Sequence, residues 1–389
     1  MSQTTSSTTT VQGTVAAGFE GVREEFAAFV AGEAHDPGAQ LAAYHHGQLV
    51  VDLWGGDSVT GDSLTGVYSA TKGAAHLIVA LLVQDGTLDL DREVAAYWPE
   101  FAAEGKGALT LRELLAHRAG VVGADDGFSP EEYADEQVLA ARLAGQRPFW
   151  QPGTGFGYHA LVIGALTGEV VRRVTGRTIQ EIFEERVRAP YGLDLYLGLP
   201  EQLEPRYLPI LPMLPTPGQR AEIAAKASSP QSLLGIAFGL NGKAPLDSVD
   251  FINTRAVRAK GQTSAAGVGN ARGLAGLYAA VFGEIGGRAA LLDPGTYSQF
   301  SRIHSTGRDL VTGELDQTFG LGFQALGQKY RALGADAIGH SGAAGALALA
   351  DPRNGISYAY TRRRFAFPGG AAPENERLIG AVVKAATAL

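Results

Sequence analysis

Strand signals are concentrated at the two ends of the chain, and this distribution constrains the fold more than any other feature of the sequence. Residues 40–54 contain two apolar-rich arms around His45-His46-Gly47, which is typical of a β-hairpin. Residues 345–360 repeat the pattern around Asp351-Pro-Arg-Asn-Gly355. A helical pattern accompanies each hairpin, at residues 17–31 and 374–388. We therefore expect the two ends to build one antiparallel sheet covered by helices.

The middle of the chain, from about residue 75 to 260, is poor in strand signals. A buried-looking helix is expected at residues 70–84 and another at 158–174, and capping-box patterns open helices at Thr110 and Thr178. The sequence thus predicts an α/β (α+β) protein in which a mainly helical domain is inserted into a sheet domain. The expected divisions are a disordered tail at 1–15, a sheet domain at 16–75 and 261–389, and a helical domain at 76–260.

A proline-rich stretch at residues 200–220 interrupts the helical part. It carries six prolines between Pro200 and Pro217. Because proline lacks an amide hydrogen and fixes φ, this stretch cannot be regular helix or central strand. Two interpretations stay open: a surface connection between domains, or a loop that walls a substrate pocket.

Composition excludes several classes of function. Apolar residues make up 45% of the 389 residues and the formal net charge is −8, which favours a globular protein and disfavours nucleic acid or an anionic membrane as partner. The absence of cysteine excludes disulfides and thiolate chemistry. The polar N-terminus lacks a signal-peptide pattern, and no apolar run is long enough to cross a bilayer. We expect a soluble, cytoplasmic protein; a homo-oligomer is compatible with the sequence.

The stretch Tyr68-Ser69-Ala70-Thr71-Lys72 opens an apolar helix and contains the first candidate for chemistry. A spacing of three residues puts Ser69 and Lys72 on one helix face, where the lysine can bond the serine hydroxyl. A neutral or desolvated lysine can then remove the serine proton. Alone this spacing is weak, because a capping serine followed by a solvated lysine gives the same pattern.

Two further segments strengthen the hypothesis. Pro152-Gly-Thr-Gly-Phe-Gly-Tyr158 is a glycine-rich turn that is expected to deliver Tyr158 at the start of a helix. Gly339-His-Ser-Gly-Ala343 precedes the strand expected at residues 346–350. In this order the three segments resemble the motifs of the serine β-lactamase and penicillin-binding-protein superfamily. The resemblance is strongest to the class C β-lactamase branch and to the family VIII carboxylesterases, and it covers roughly residues 40–351.

This resemblance implies roles for particular residues. Ser69 matches the family nucleophile, Lys72 the lysine that assists its deprotonation, and Tyr158 the tyrosine that passes a proton to the leaving group. His340-Ser341-Gly342 stands where the family has Lys-Thr-Gly. The backbone amide of Ala343 would then join that of Ser69 in an oxyanion hole. The resemblance implies no metal and no organic cofactor.

Two departures from the lactamase pattern favour esters as substrates. The second motif reads Tyr158-His159-Ala160, without the amide side chain that would bond a β-lactam. In the third motif His340 replaces a lysine suited to a substrate carboxylate. We therefore predict a serine carboxylesterase that hydrolyses small esters through an acyl-enzyme. The alternatives are a β-lactamase or D-amino-acid peptidase and, from another class, a non-catalytic binding or scaffold relative.

Other residues near the motifs carry weaker expectations. His340 and Gly342 are expected to bind substrate at the wall of the site. Trp150 either lines the pocket or seals the seam between the domains, and His159 either contacts substrate or packs beside Tyr158. The eight histidines show no metal-binding spacing. His45 and His46 are expected in a turn, and His117 as a charged partner of a helix C-terminus. Ser341 lies in a near match to the nucleophile elbow of α/β-hydrolases, but strand residues follow it where that motif needs a helix.

Overall fold

The computed structural model describes residues 11–33 and 38–389, and its strands confirm the expected sheet. Both predicted hairpins are present, with turns at the predicted positions. The strands are β1 (Val11–Val15), β2 (Ala39–His45), β3 (Gln48–Gly55), β4 (Thr65–Gly66), β5 (Leu195–Tyr196), β6 (Val268–Gly269), β7 (Ser305–Gly307), β8 (Gln317–Phe319), β9 (Gln324–Ala325), β10 (Ile338–Ser341), β11 (Leu347–Asp351) and β12 (Ile356–Arg362).

The described residues form one antiparallel sheet of nine strands in the order β1-β3-β2-β12-β11-β10-β9-β8-β7. The N-terminal and C-terminal hairpins join at its centre, where β2 pairs with β12 from Ala39–Arg362 to His45–Ile356. A second, three-stranded sheet has the order β4-β6-β5. The two ends of the sequence thus build one sheet, as the hairpin patterns predicted.

The helices bear out the mixed α/β class. Those that the structure describes are α1 (Glu20–Gly32), α2 (Thr71–Gln84), α3 (Val94–Tyr97), α4 (Leu111–Leu115), α5 (Pro130–Tyr133), α6 (Glu136–Ala144), α7 (Ile163–Thr175), α8 (Ile179–Phe183), α9 (Ala189–Tyr191), α10 (Pro217–Ala225), α11 (Leu233–Ala237), α12 (Ser248–Asn253), α13 (Arg255–Lys260), α14 (Ala271–Phe282), α15 (Pro294–Ser301) and α16 (Glu374–Ala386). Thr110 and Thr178 form the predicted capping boxes at α4 and α8.

The large sheet is covered on both faces. On one face, alternate residues such as Leu349 and Tyr358 pack with α1 and α16. On the other, small residues such as Ala348 and Ala359 belong to a core shared with α14 and the helices of the middle region. Within residues 76–260, all of which the structure describes, β5 is the sole strand. The strand-poor middle is therefore helical, as expected.

Helix α2 runs through the interior and carries the first motif. Twelve of its 14 residues are buried, including Lys72 and His76. A helix that is apolar on every side is expected to be buried in this way. The division predicted at residues 75/76 falls inside α2, and the larger core is continuous across it. The two-domain division therefore stays a prediction.

Two details of the predicted organisation are wrong. The disordered tail was expected to reach residue 15, but Val11–Val15 pair with β3 as an edge strand because their amides complete its ladder; residues 1–10 lie outside the described residues. The proline-rich stretch was expected to be a loop as far as residue 220, but Pro217 opens α10, since the first turn of a helix does not need the amide hydrogen that proline lacks. Upstream, Leu208 N–H donates to Leu64 O, which holds the stretch beside β4.

None of the helices that the structure describes is long and apolar enough to cross a membrane.

Candidate active site

Ser69 lies in a single 3₁₀ turn, Tyr68–Ala70, directly before α2. Tyr68 has a φ of 48°, in the left-handed region that costs energy for a residue with a Cβ. Its ring packs edge-on against Phe365 at 5.8 Å between centroids, and its hydroxyl donates to Ser248 O at 3.2 Å. Contacts from two distant segments therefore hold the strained residue before the candidate nucleophile.

Lys72 is the central polar group of the site. Its Nζ is 3.1 Å from Ser69 Oγ and 2.7 Å from each of two carbonyl oxygens, those of Ala160 and Ser264. The side chain is fully buried, and this desolvation lowers the pKa of its amine well below the usual value. In the neutral amine, the two N–H groups can serve the carbonyls, which leaves the lone pair directed at Ser69.

Thr71 connects the nucleophile turn to the small sheet. Its hydroxyl donates to Tyr68 O at 2.5 Å and accepts the amide of Gly267 at 2.9 Å. The carbonyl of Gly267 in turn accepts the amide of Val67 at 3.0 Å. The turn that presents Ser69 is therefore fixed on both sides by backbone next to β6.

Tyr158 reaches the same point from a different part of the chain. Its ring centroid lies 4.9 Å from Lys72 Nζ and 6.0 Å from the parallel ring of Phe319. His340 packs against the ring at 5.9 Å. Burial raises the pKa of the Tyr158 hydroxyl, and a hydrogen bond with Ser69 offsets part of this rise. The neutral phenol, a proton donor, is therefore the favoured form.

The expectation that Tyr158 opens a helix is wrong. The helix begins only at Ile163, and Tyr158 lies in irregular backbone that follows the glycine-rich turn. The glycines are needed for close packing: a Cβ at Gly155 would lie 2.8 Å from Leu310, and one at Gly157 would lie 2.7 Å from Val311. The turn therefore seats the tyrosine against the loop that contains Leu310 and Val311.

The third motif also borders Ser69. A Cβ on Gly342 would lie 2.3 Å from the carbonyl oxygen of Val67, two residues before Ser69, so only glycine fits. The amide of Gly342 donates to Ala346 O, while that of Ala343 has no acceptor within the part of the chain that the structure describes. The Ala343 N–H therefore makes no hydrogen bond to another described residue.

His340 and His159 are both buried, with ring exposures of 1% and 0%. The Nδ1 of His340 hydrogen-bonds Ser341 O at 2.8 Å, and that of His159 bonds Gly157 O at 2.7 Å. Burial lowers the pKa of both rings, that of His159 to about 4. His340 therefore contacts Tyr158 as a neutral ring, and His159 lies in the layer behind the site.

His117 was expected to be a charged partner of a helix C-terminus, and this is wrong. The residue follows α4, but its ring is fully buried between Tyr158 and Phe319. Its Nδ1 accepts the amide of His159 at 3.2 Å, and burial lowers its pKa well below the usual value. It is a neutral packing residue, because the helix end points inward rather than to solvent. His46 occupies the predicted turn, whereas His45, also expected there, is the last residue of β2.

Trp150 supports the glycine-rich turn. Its ring lies close to Gly157 and meets His159 edge-on at 5.9 Å. The Nε1 atom is buried and has no hydrogen-bond partner among the described residues. Trp150 therefore packs against the glycine-rich turn and His159, and its role in binding substrate stays a prediction.

The Ser341 alternative lacks its structural context. Ser341 ends β10, and the chain continues through a turn into β11 rather than into a helix. Among the described residues there is also no group of three or more histidine, aspartate or glutamate side chains that could hold a metal ion.

Several residues at the site could not be predicted from the sequence. Asp309 accepts the amide of Tyr158, Phe319 stacks on its ring, and Phe238 lies 6.5 Å from it with 37% of its surface exposed. The carbonyls of Ala160 and Ser264 hold Lys72. No motif spacing identifies the residues between 238 and 319, because they lie far from the three motifs in the sequence. Ala160 belongs to the second motif, and only the bond of its carbonyl to Lys72 was not predicted.

Known proteins resemble this chain over most of its length. The family model described as Beta-lactamase matches residues 22–381. The solved structure of EstA from Arthrobacter nitroguajacolicus Rue61a superposes with a TM-score of 0.89 at 40% identity, covering 97% of this chain and 99% of that one. A crystal structure of a family VIII carboxylesterase gives a TM-score of 0.85 at 35% identity, covering 97% and 100%.

A curated relative, Esterase/beta-lactamase LipL of Mycobacterium tuberculosis, is 30% identical over 366 residues, which cover 85% of this chain and 78% of LipL. The family model and these relatives extend over nearly all of the sheet and the helical middle. The chain therefore belongs to the beta-lactamase family.

Proposed function

We propose that this protein is a serine carboxylesterase that hydrolyses small carboxylic esters through an acyl-enzyme on Ser69. The observation that carries the proposal is the environment of Lys72, whose Nζ lies 3.1 Å from Ser69 Oγ while two carbonyls occupy its other bonding positions. Burial lowers the pKa of the Lys72 amine, which favours its neutral form and suits it to act as a base. The names of EstA and of the family VIII carboxylesterase support an ester as the substrate.

Acylation uses two proton transfers in this proposal. Ser69 Oγ attacks the ester carbonyl carbon, and its proton passes to the neutral amine of Lys72. The bond from that carbon to the alcohol oxygen then breaks, and Tyr158 gives its phenolic proton to the departing oxygen. The products are the free alcohol and an acyl group on Ser69, with a Lys72 ammonium beside a Tyr158 phenolate.

Deacylation reverses both transfers. Water attacks the acyl carbon and loses a proton to the Tyr158 phenolate. Ser69 Oγ leaves and takes its proton back from Lys72, so that one water is consumed and the carboxylic acid is released. In each half the backbone amides of Ser69 and Ala343 stabilise the oxyanion, and one such donor is typically worth on the order of 10²–10³ in rate.

The lining of the site supports esters over β-lactams and peptides. Ala160 brings only its carbonyl, to Lys72, and offers no side-chain amide. His340 is neutral and buried, so it supplies no fixed charge for a substrate carboxylate. Phe238 gives the exposed side of Tyr158 an apolar surface. An uncharged small ester matches these three features.

The proposal is tested with Ser69→Ala. Hydrolysis of p-nitrophenyl acetate is expected to fall by about 10⁴-fold or more, and covalent labelling by a fluorophosphonate should disappear, with the circular dichroism spectrum unchanged. Labelling that survives in Ser69→Ala and is lost in Ser341→Ala would overturn the assignment. A cephalosporin turned over by the wild type as fast as the ester would favour the β-lactamase alternative.

A further inference from the structure

Asp309 joins the glycine-rich turn to the hairpin formed by β7 and β8. Its carboxylate accepts the backbone amide of Tyr158 at 3.0 Å through Oδ2 and at 3.2 Å through Oδ1. Oδ1 also accepts the amides of Val311 at 2.8 Å and Thr312 at 2.9 Å. The side chain has no exposed surface. One buried carboxylate therefore bonds two segments that are 151 residues apart in the chain.

The same hairpin also holds the ring of Tyr158. Phe319, in β8, lies parallel to that ring with 6° between the planes. Next to Asp309, the amide of Leu310 donates to Phe156 O at 3.0 Å. The hairpin is anchored by Ser305, whose hydroxyl donates to Ala116 O at 2.7 Å. Both the backbone and the ring of Tyr158 are therefore positioned by this one hairpin.

We propose that Asp309 is a positioning residue for proton transfer from Tyr158 to the leaving alcohol. Its bond to the Tyr158 amide sets where the phenol stands relative to Ser69, and a displacement of about 1 Å can cost 10²-fold in rate. Its negative charge also opposes formation of a phenolate in the resting enzyme. This inference rests on the proposed function, because it requires Tyr158 to act as the acid.

If Asp309 only stabilised its own loop, its substitution would give a different kinetic result. Asp309 does cap the turn of residues 309–312, so its loss could loosen the hairpin and lower all activity equally. Loss of proton transfer, in contrast, slows esters of poor leaving groups more than esters of good ones. An alkyl alcohol needs a proton in order to leave, whereas p-nitrophenol leaves as a stable anion.

The test compares ethyl acetate with p-nitrophenyl acetate, which form the same acetyl-enzyme, by their kcat/KM values. In Asp309→Asn one acceptor oxygen becomes a donor, and kcat/KM for ethyl acetate is expected to fall about 10- to 100-fold. The value for p-nitrophenyl acetate should fall far less. Asp309→Ser keeps a hydroxyl for the local turn but is too short to hold the Tyr158 amide, and it should show the same selective loss.

The matched control is Asp351→Asn. Asp351 is equally buried, and its carboxylate bonds the amide of Gly334 and the side chain of Asn354 rather than the site. The ratio of the two kcat/KM values should stay at the wild-type value in this variant. Equal losses for both esters in the Asp309 variants, or no loss for either, would overturn the inference.

Tyr158→Phe, measured in parallel, separates this inference from the proposed function. A selective loss on ethyl acetate in Tyr158→Phe but not in the Asp309 variants would overturn only the role of Asp309. If Tyr158→Phe hydrolyses both esters at the wild-type ratio, Tyr158 is not the acid; the role of Asp309 then fails, while the acyl-enzyme on Ser69 is still decided by Ser69→Ala. The same selective loss in Tyr158→Phe and in the Asp309 variants supports both.

Discussion

The two halves of the candidate site are held in different ways. Ser69 and Lys72 lie three residues apart at the start of α2, so the helix itself sets most of their geometry. Tyr158 lies in irregular backbone, and its position depends on Asp309 and Phe319, more than 150 residues away in the chain. The first half is local and the second is an assembly of distant segments.

This difference determines how each half should respond to substitution. A change to the side chain of Ser69 or Lys72 is expected to act through chemistry, because α2 keeps the spacing of the pair. In the assembled half a change some distance from Tyr158 is expected to act through position. The two kinds of effect can be separated by variants that alter one and leave the other.

The largest effect is expected in the local half, from Lys72→Met. Methionine fills much of the same space but offers no base, so kcat/KM for p-nitrophenyl acetate should fall by about 10³-fold, within the range for general-base catalysis. Steady-state kinetics at pH 8 measure this, with thermal unfolding as the check on the fold. Lys72→Arg should be similarly impaired, because a guanidinium stays protonated. Activity within tenfold of the wild type in Lys72→Met would show that another group removes the serine proton.

A smaller effect is expected in the assembled half, from Gly157→Ala. The new Cβ would lie 2.7 Å from Val311 and 3.0 Å from the Trp150 ring, so the turn must shift and carry Tyr158 with it. We expect kcat for ethyl acetate to fall by about 10- to 100-fold.

Gly145→Ala is the matched control for this substitution. Gly145 has ordinary right-handed backbone, with φ of −89°, and a Cβ there meets nothing within 4 Å. Its kinetics should equal those of the wild type. If Gly157→Ala does the same, Tyr158 tolerates movement of its turn, and the contrast between the halves disappears.

The smallest effect concerns the pH dependence of stability, to which the two halves of the site should contribute equally. His76 on α2 and His159 beside Tyr158 are both buried, and burial lowers the pKa of each to about 4. Since the folded pKa lies below the unfolded value of about 6.5, each contributes stability that is complete above pH 6.5 and is lost as the pH falls towards 4. The expected slope is about 1.4 kcal/mol per pH unit for each ring.

Urea unfolding between pH 7 and 4.5 measures this slope. His76→Asn and His159→Asn, whose amides can still donate to Gly322 O and Gly157 O, should each flatten it by the same amount. His46→Asn, in the exposed turn between β2 and β3, should leave it unchanged. A slope that is equal in all four proteins would mean that the buried rings are already protonated in the folded state.

The same contrast explains what the sequence could predict. Hairpins, capping boxes and the pair Ser69 and Lys72 are set by residues close together in the chain, so their patterns can be recognised in one sequence. The joining of the two terminal hairpins in one antiparallel sheet was predicted in this way, but the number of its strands, nine among the described residues, was not. The position of Tyr158 was inferred only through a family resemblance, and the expectation that it opens a helix was wrong because packing against residues 310 and 311 keeps that turn irregular.

The roles of Asp309 and His117 were not predicted, for the same physical reason. Nothing in the sequence near Asp309 marks it as different from other loop aspartates, and only folding brings its carboxylate to the Tyr158 amide. His117 was expected to be charged because it follows a helix, and only the fold shows that this helix ends in the interior. Burial and long-range hydrogen bonds are properties of the folded chain, and a single sequence does not contain them in any local pattern.

The left-handed backbone at Tyr68 has a consequence for variation at this position. Glycine adopts a φ of 48° easily and asparagine adopts it at some cost, whereas β-branched side chains are strongly disfavoured in this conformation. Tyrosine is retained through its contacts with Phe365 and Ser248. A substitution at Phe365 or Ser248 would remove a contact that offsets the backbone strain of Tyr68, although neither residue binds substrate in the proposal. The turn is then expected to relax and to move the amide of Ser69 away from the oxyanion position. Mutational sensitivity should therefore extend outward from the nucleophile along the ring of Tyr68, away from the substrate side.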